Sequence, residues 1–122
     1  MITEDYVSFE IAKLLKEKGF NEGCPTTYTS NGLFHTHNYR PLVEDIFAPT
    51  LQMAMKWLRE VHNLSVEVYR TACGYIGCIV AIPSGTDIKF LEEDGDDLPS
   101  GTYTKWEYAC EAAIKYCLEN LI

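Results

Sequence analysis

The sequence is short of positive charge, and this shortage restricts the partners that it can bind. Ten lysines and arginines face 18 aspartates and glutamates, so the formal net charge is −8 at pH 7. Binding to a nucleic-acid backbone needs clustered Lys and Arg, whereas the basic residues here are scattered, apart from Lys13, Lys16 and Lys18. We therefore expect no nucleic-acid partner. An acidic surface that docks a basic protein or mimics nucleic acid stays open as an alternative.

Long apolar runs and export signals are also missing. No apolar stretch approaches the ~20 residues of a transmembrane helix, and the longest, residues 78–83, fits one buried strand. Residues 1–5 show neither a basic segment nor the start of an apolar one, so we expect no signal peptide and no membrane association. The five cysteines are an odd number, which favours reduced thiols. The sequence thus predicts a cytoplasmic protein.

Motifs for catalysis and cofactor binding are absent as well. No Gly-x-Ser-x-Gly elbow, phosphate-binding loop or dinucleotide fingerprint occurs. Cys73 and Cys78 lack the second cysteine pair of a structural zinc site, and the acidic run at residues 92–97 lacks the ligand spacing of an EF-hand. We assign no catalytic residue and no cofactor, and the sequence favours a protein that is not an enzyme.

The positive signals predict a fold. A chain of 122 residues has the usual size of one domain, and we expect residues 1–122 to form one. Hydrophobic periodicity and turn residues predict the order α-β-β-α-β-β-β-α, which is an α+β fold with its helices packed against an antiparallel sheet.

The first two predicted helices have recognisable ends. The first lies between Thr3 and Lys18, with Thr3 or Ser8 as alternative N-caps, and Gly19 ends it in the left-handed conformation. The second covers residues 51–62, with Thr50 as its N-cap and Asn63 as its stop. Its predicted buried residues are Leu51, Ala54, Met55, Leu58 and Val61, with Trp57 at the margin.

The last predicted helix begins with a capping box formed by Thr104 and Glu107. Its apolar stripe consists of Trp106, Cys110, Ala113, Cys117 and Leu121. Cys110 and Cys117 are two turns apart, too far for a disulfide, so we expect both to be buried apolar residues.

The strands are predicted from turns and alternation. Residues 64–68 alternate, residues 75–82 are apolar enough for a central strand, and residues 87–90 form an outer strand. Residues 38–49 and 92–101 are predicted to be loops.

The dipeptide Asn31-Gly32 predicts a β-hairpin with a two-residue turn. This turn would pair Ser30 with Leu33, Tyr28 with His35 and Thr26 with His37. Tyr28, His35 and His37 would then share one face. Two imidazoles on one face can bind a metal ion, which would need at least one further ligand, and Cys24 lies just upstream. The alternative is a polar hairpin facing solvent.

Three segments carry a resemblance to known sequences. They are Tyr6–Phe20 (YVSFEIAKLLKEKGF), Pro49–Leu64 (PTLQMAMKWLREVHNL) and Glu107–Ile122 (EYACEAAIKYCLENLI). Together they resemble a family of small uncharacterised proteins from gut-bacterial genomes and their integrated phages. That family has no assigned activity, so the resemblance implies a mobile-element source and a size but no site.

Parts of the chain are similar to two known kinds of small domain. From Thr50 onward the order α-β-β-β-α matches double-stranded RNA-binding domains, but the final helix opens with Lys105 and Glu107 instead of a lysine cluster, which opposes RNA binding. Residues 101–121 are similar to the end of small antitoxin domains, a pattern that any well-capped terminal helix shows.

These observations leave three functional hypotheses. The leading one is a non-enzymatic protein-interaction or accessory module of mobile-element origin. It would bind a protein partner, or itself as a homodimer, through an apolar or aromatic face ringed by acidic charge, since a meander leaves a strand edge open. The second is a small metal-dependent enzyme or metal-binding protein that uses His35 and His37. The third is an acidic nucleic-acid mimic or antitoxin-like regulator.

Overall fold

The helices and strands are taken from a computed structural model, which describes residues 2–36, 45–91 and 102–122. The helices in these residues are α1 (Phe9–Glu17), α2 (Leu51–His62) and α3 (Trp106–Tyr116), and a π-helical turn at Cys117–Leu121 continues α3. The strands are β1 (Thr26–Tyr28), β2 (Phe34–Thr36), β3 (Ile46–Phe47), β4 (Leu64–Arg70), β5 (Tyr75–Ala81) and β6 (Asp87–Leu91). The predicted α+β fold class is confirmed.

The strands form two antiparallel sheets instead of the one that we predicted. Each has three strands, in the orders β2-β1-β3 and β4-β5-β6. Strand β3 was not predicted, because Ile46–Phe47 is only two residues long and lies in the segment that we interpreted as a loop. It pairs with β1 through Thr27 and Tyr28, a contact between distant residues that no local pattern encodes. The predicted order is otherwise confirmed.

The hydrophobic core lies between the helices and one face of the β4-β5-β6 sheet. Helix α3 packs on β4 and β5, and α2 packs on β4. Helix α3 lies close to β5 at Gly77, where an added Cβ atom would be 3.4 Å from the Ala109 carbonyl oxygen and 3.7 Å from the Ala113 Cβ. Ala109 and Ala113 are thus the residues of α3 that lie next to this point of the sheet.

The ends of α1 and α2 follow local sequence signals. Ser8 caps α1, its Oγ accepting a hydrogen bond from the Ile11 N–H at 3.3 Å, so Ser8 and not Thr3 is the N-cap. Gly19 has φ +95° at the end of α1. The predicted bounds of α2 are confirmed, with Thr50 as N-cap and Asn63 in the left-handed conformation.

Two predictions about helical residues were wrong. The capping box of α3 does not form: Lys105 is the N-cap residue and makes no side-chain capping bond. Glu107 instead approaches Asp5, whose pKa is raised by desolvation and by this neighbouring carboxylate. On α2, Val61 is 56% exposed, whereas Trp57 is buried. Phe20 covers this flank at Trp57, with ring centroids 5.4 Å apart, and one turn later the flank is open to solvent at Val61.

The predicted burial of the cysteines on the last helix is confirmed. Cys110, Ala113 and Cys117 are fully buried on α3, as the stripe predicted. Both cysteines are free thiols, and burial raises the pKa of each to about 12. They are thus protonated, buried side chains at neutral pH.

A carboxylate from α3 links the start of α1 to the rest of the molecule. Glu111 accepts a hydrogen bond from the Ser8 N–H at 2.9 Å and another from the Ser8 hydroxyl at 3.1 Å. Burial raises the pKa of Glu111, and the bonds from Ser8 oppose this rise. The burial favours a neutral side chain here, so an amide should replace the carboxylate at little cost.

We expect Glu111→Ala to lower the free energy of unfolding by about 1–2 kcal/mol, because the N-cap residue loses two hydrogen bonds. Glu111→Gln is expected to stay within about 0.5 kcal/mol of the wild type, since its amide can still accept one bond and donate another. Urea unfolding monitored by circular dichroism measures both changes. Equal losses in the two variants would contradict this role.

Candidate interaction surface

One face of the β4-β5-β6 sheet carries the helices, and we call the opposite face the open face. Side chains alternate between faces along a strand, and directly paired residues share a face. Val66 pairs with Ile79 on the helix-covered side, whereas Glu67 pairs with Cys78 on the other. The open face consists of Ser65, Glu67, Tyr69, Ile76, Cys78, Val80, Asp87 and Phe90.

The open face is apolar at its centre. Strand β5 contributes Ile76, Cys78 and Val80 along the middle of the sheet. Tyr69 on β4 and Phe90 on β6 flank this row and are 45% and 51% exposed. Exposed apolar side chains that form a contiguous patch mark interaction sites, and Tyr69 and Phe90 flank one and the same apolar row.

The charged residues of the three strands are divided between the two faces. Glu67 and Asp87 lie on the open face. Arg70 lies on the other side, its guanidinium carbon 5.1 Å from the centroid of the Tyr75 ring. Lys89 also lies on the helix side, with Nζ 5.6 Å from the centroid of the Tyr116 ring of α3. It is two residues from Asp87 but lies on the other face, because the register of the β5–β6 pairing shifts between Ile79 and Val80. The strands thus present acidic residues outward and basic residues towards the helices.

Both outward carboxylates contact a neighbour on the same face. The Ser65 hydroxyl donates a hydrogen bond to Glu67 Oε1 at 2.6 Å, and the Cys78 thiol lies 3.7 Å from Asp87 Oδ1. Cys78 is 4% exposed, and burial, then Asp87 and Glu67, raises the pKa of its thiol. The thiol is therefore protonated at neutral pH and is a poor nucleophile.

A second group of aromatic residues lies where the β1-β2 hairpin meets the start of α1. The Phe34 ring packs against Tyr6 at 5.1 Å and Tyr28 at 5.4 Å, and Phe9 packs against Tyr28 at 5.5 Å, measured between ring centroids. The Tyr28 hydroxyl donates to the Val7 carbonyl at 2.7 Å. The rings contact one another, so this group anchors the hairpin to α1.

The predicted register of this hairpin was wrong by one residue. Thr27 pairs with His35 and Tyr28 with Phe34, so Tyr28 does not share a face with His35. The loop has three residues, because the Thr29 N–H bonds the Leu33 carbonyl. A two-residue type I′ turn needs positive φ at both central residues. Gly32 has φ +86°, and Asn31 is not among the described residues with positive φ.

The predicted metal site remains a prediction. His35 lies on the exposed strand β2, whereas His37 lies outside the described residues. Cys24 lies just before β1, and its thiol is 3.4 Å from the Thr26 carbonyl oxygen. Within the part of the chain that the structure describes, no group of three or more His, Cys, Asp or Glu residues is placed to hold a metal ion. The acidic run at residues 92–97 also lies outside it.

A shallow groove on the outer side of α2 has a volume of about 210 Å³. It is lined by Glu22, Met53, Lys56, Trp57, Glu60 and Val61. Small-molecule sites usually enclose roughly 300 Å³ or more. This groove is therefore a weaker candidate than the open face.

Sequence reasoning missed the open face. The run at residues 75–82 is apolar at nearly every position, which predicts a strand buried on both sides. The signal that was present lies in β4, where Glu67 and Arg70 are three residues apart and so lie on opposite faces. Strand β6 gives no such signal, because Asp87 and Lys89 are two residues apart and are separated between the faces only by the register shift in the β5–β6 pairing.

Comparison with known proteins adds no assignment. No protein-family model, no curated protein and no solved structure matches the chain. Within residues 2–36, 45–91 and 102–122, no helix has the length and apolar character that crossing a membrane requires.

Proposed function

We propose that this chain is a protein-interaction module without catalytic activity, and that it binds a partner protein through the open face. The observation that carries this proposal is a sheet that has helices on one face and, on the other, the exposed rings of Tyr69 and Phe90. A module of this kind needs no bound cofactor.

The composition of the open face matches that of protein interfaces. Interface centres are enriched in aromatic residues and depleted in charge, and their rims are polar. Here the apolar row of β5 forms the centre, and Glu67 and Asp87 lie on the two outer strands. The protonated thiol of Cys78 offers no activated nucleophile at this centre, which supports binding over catalysis.

The cellular setting belongs to the same proposal. Free thiols such as those of Cys110 and Cys117 are compatible with the reducing cytoplasm. The resemblance of three segments to proteins of gut bacteria and their integrated phages supports an accessory role for a mobile element. A partner from the bacterial host or from the element itself would fit this setting.

The proposal predicts that binding depends on the two exposed rings. Peptides selected from a random display library on the purified chain would be titrated against wild type and the double variant Tyr69→Ser/Phe90→Ser. We expect the double variant to bind at least about tenfold more weakly, as interface hot spots of this type do. Fluorescence anisotropy of labelled peptides measures the affinities.

The matched control is Val61→Ser, which removes an equally exposed apolar side chain from α2. It should leave binding within about twofold, a change well under 1 kcal/mol. Circular dichroism spectra establish that all variants are folded. Selected peptides that bind the double variant as well as the wild type would overturn the proposal.

A further inference from the structure

The charge on the open face indicates which kind of partner protein fits it. This inference rests on the proposed function, the binding of a partner through that face. Glu67 pairs with Cys78, and Asp87 pairs with Val80. The two carboxylates therefore lie on opposite sides of the apolar β5 row and two residues apart along it. From strand spacing and rise, their Cα atoms are separated by about 12 Å.

No basic residue of these three strands neutralises this face. Their two cations, Arg70 and Lys89, lie over aromatic rings on the helix side. A partner must therefore cover an apolar strip with a carboxylate on either side. Burying those carboxylates without cationic neighbours would be unfavourable.

The same charges oppose the packing of two copies face to face. A twofold axis through the open face would bring Glu67 and Asp87 of one copy against the same two carboxylates of the other. Like charges placed together across an interface disfavour that complex. A homodimer through the open face is thus a worse fit than a partner with Lys or Arg.

We propose that the open face binds an amphipathic helix of a partner protein that carries lysine or arginine on both sides of its apolar stripe. The apolar stripe packs over Ile76 and Val80. The flanking cations pair with Glu67 on β4 and with Asp87 on β6. The sheet would then have helices on both faces, a common layered arrangement.

The probe for this proposal is a synthetic helical peptide with a leucine stripe flanked by lysines. A second peptide has glutamine in place of each lysine. We expect the wild-type chain to bind the lysine peptide at least about tenfold more tightly at low ionic strength. The double variant Glu67→Gln/Asp87→Asn should lose most of this preference, because both carboxylates become neutral amides of similar shape.

The control is Glu22→Gln/Glu60→Gln, which removes the same net charge from the α2 groove. It should retain the preference, because Glu22 and Glu60 do not lie on the open face. Both double variants remove the same net charge, so the long-range attraction of an acidic protein for a basic peptide weakens equally in the two. If Glu67→Gln/Asp87→Asn retains the preference, or if the lysine peptide does not bind the wild type, the inference is wrong.

Further outcomes separate this inference from the proposed function. Uncharged peptides that bind through Tyr69 and Phe90 with no preference for lysine would support the proposed function and overturn the inference. Binding that is insensitive to Tyr69→Ser/Phe90→Ser would overturn both. A dimer in sedimentation that dissociates in that double variant would assign the open face to a second copy and overturn the inference.

Discussion

Replacing Leu58 with alanine is expected to lower the free energy of unfolding by about 3 kcal/mol, within the range of about 2–5 kcal/mol for buried leucines. Leu58 is fully buried on α2 and belongs to the main hydrophobic core. The truncation removes apolar area from the core and leaves a cavity that packed neighbours fill only partly. Urea unfolding followed by circular dichroism measures the loss.

Val61→Ala, three residues further along α2, is the matched control. We expect a change within about 0.5 kcal/mol, because Val61 is largely exposed and alanine favours the helix slightly. The apolar spacing of α2 places both residues on one stripe, so the sequence predicts similar losses. A loss at Val61 as large as that at Leu58 would contradict the orientation of α2.

The second large effect is expected at Gly74. A Cβ atom there would lie 2.5 Å from Thr102 Oγ1 and 2.7 Å from the Tyr103 carbonyl oxygen. Tyr103 exchanges backbone hydrogen bonds of 2.8 Å with Tyr75, so its carbonyl is fixed in a bridge to β5. We expect Gly74→Ala to cost about 3 kcal/mol or more, because backbone must move to accommodate the methyl group.

Gly77→Ala is the control for this substitution. Its Cβ would meet neighbours at 3.4–3.7 Å, which is ordinary contact or close to it. The expected change is within about 1 kcal/mol. The two variants add the same methyl group just before β5 and within β5, and thermal unfolding compares them directly. Similar midpoints for Gly74→Ala and Gly77→Ala would contradict the close approach of residues 102–103 to Gly74.

Both ends of helix α2 could be predicted from local sequence signals. Its bounds follow from Thr50, whose hydroxyl accepts from the Met53 N–H at 3.1 Å, and from Asn63 in the left-handed conformation. Both residues act within one turn of the helix end, so sequence alone is sufficient. The start of α3 did not follow its local signal, since Lys105 and not Thr104 is the N-cap residue and no side-chain capping bond forms.

The hairpin shows where local signals become insufficient. Asn31-Gly32 is compatible with a two-residue turn and with a three-residue loop that has glycine in its last position. Gly32 lies against Phe9 of α1, where an added Cβ would be 3.3 Å from the ring carbon Cδ1. In the observed register the hairpin thus packs against a helix that is distant in sequence. A shift of one residue would change which side chains of the two strands lie on the same face.

The open face could not be predicted either, because it also depends on contacts between segments that are distant in sequence. An apolar strand does not reveal whether helices cover one of its faces or both, since that depends on the number of layers in the whole fold. The chain places its described helices on one side of β5. The outward position of Asp87 also depends on the register shift between β5 and β6, which local sequence does not reveal.

The hydrogen bonds between Ser8 and Glu111 join residues that are 103 positions apart. Near the other end of α1, Lys18 Nζ lies 3.1 Å from the Ile122 backbone oxygen, so α1 and α3 run in the same direction. During synthesis on the ribosome, α1 is made before α3 and lacks these partners until α3 has emerged. A nascent chain stalled before α3 would therefore leave exposed the side of α1 that packs against α3, while the contacts of α1 with β3 could already form.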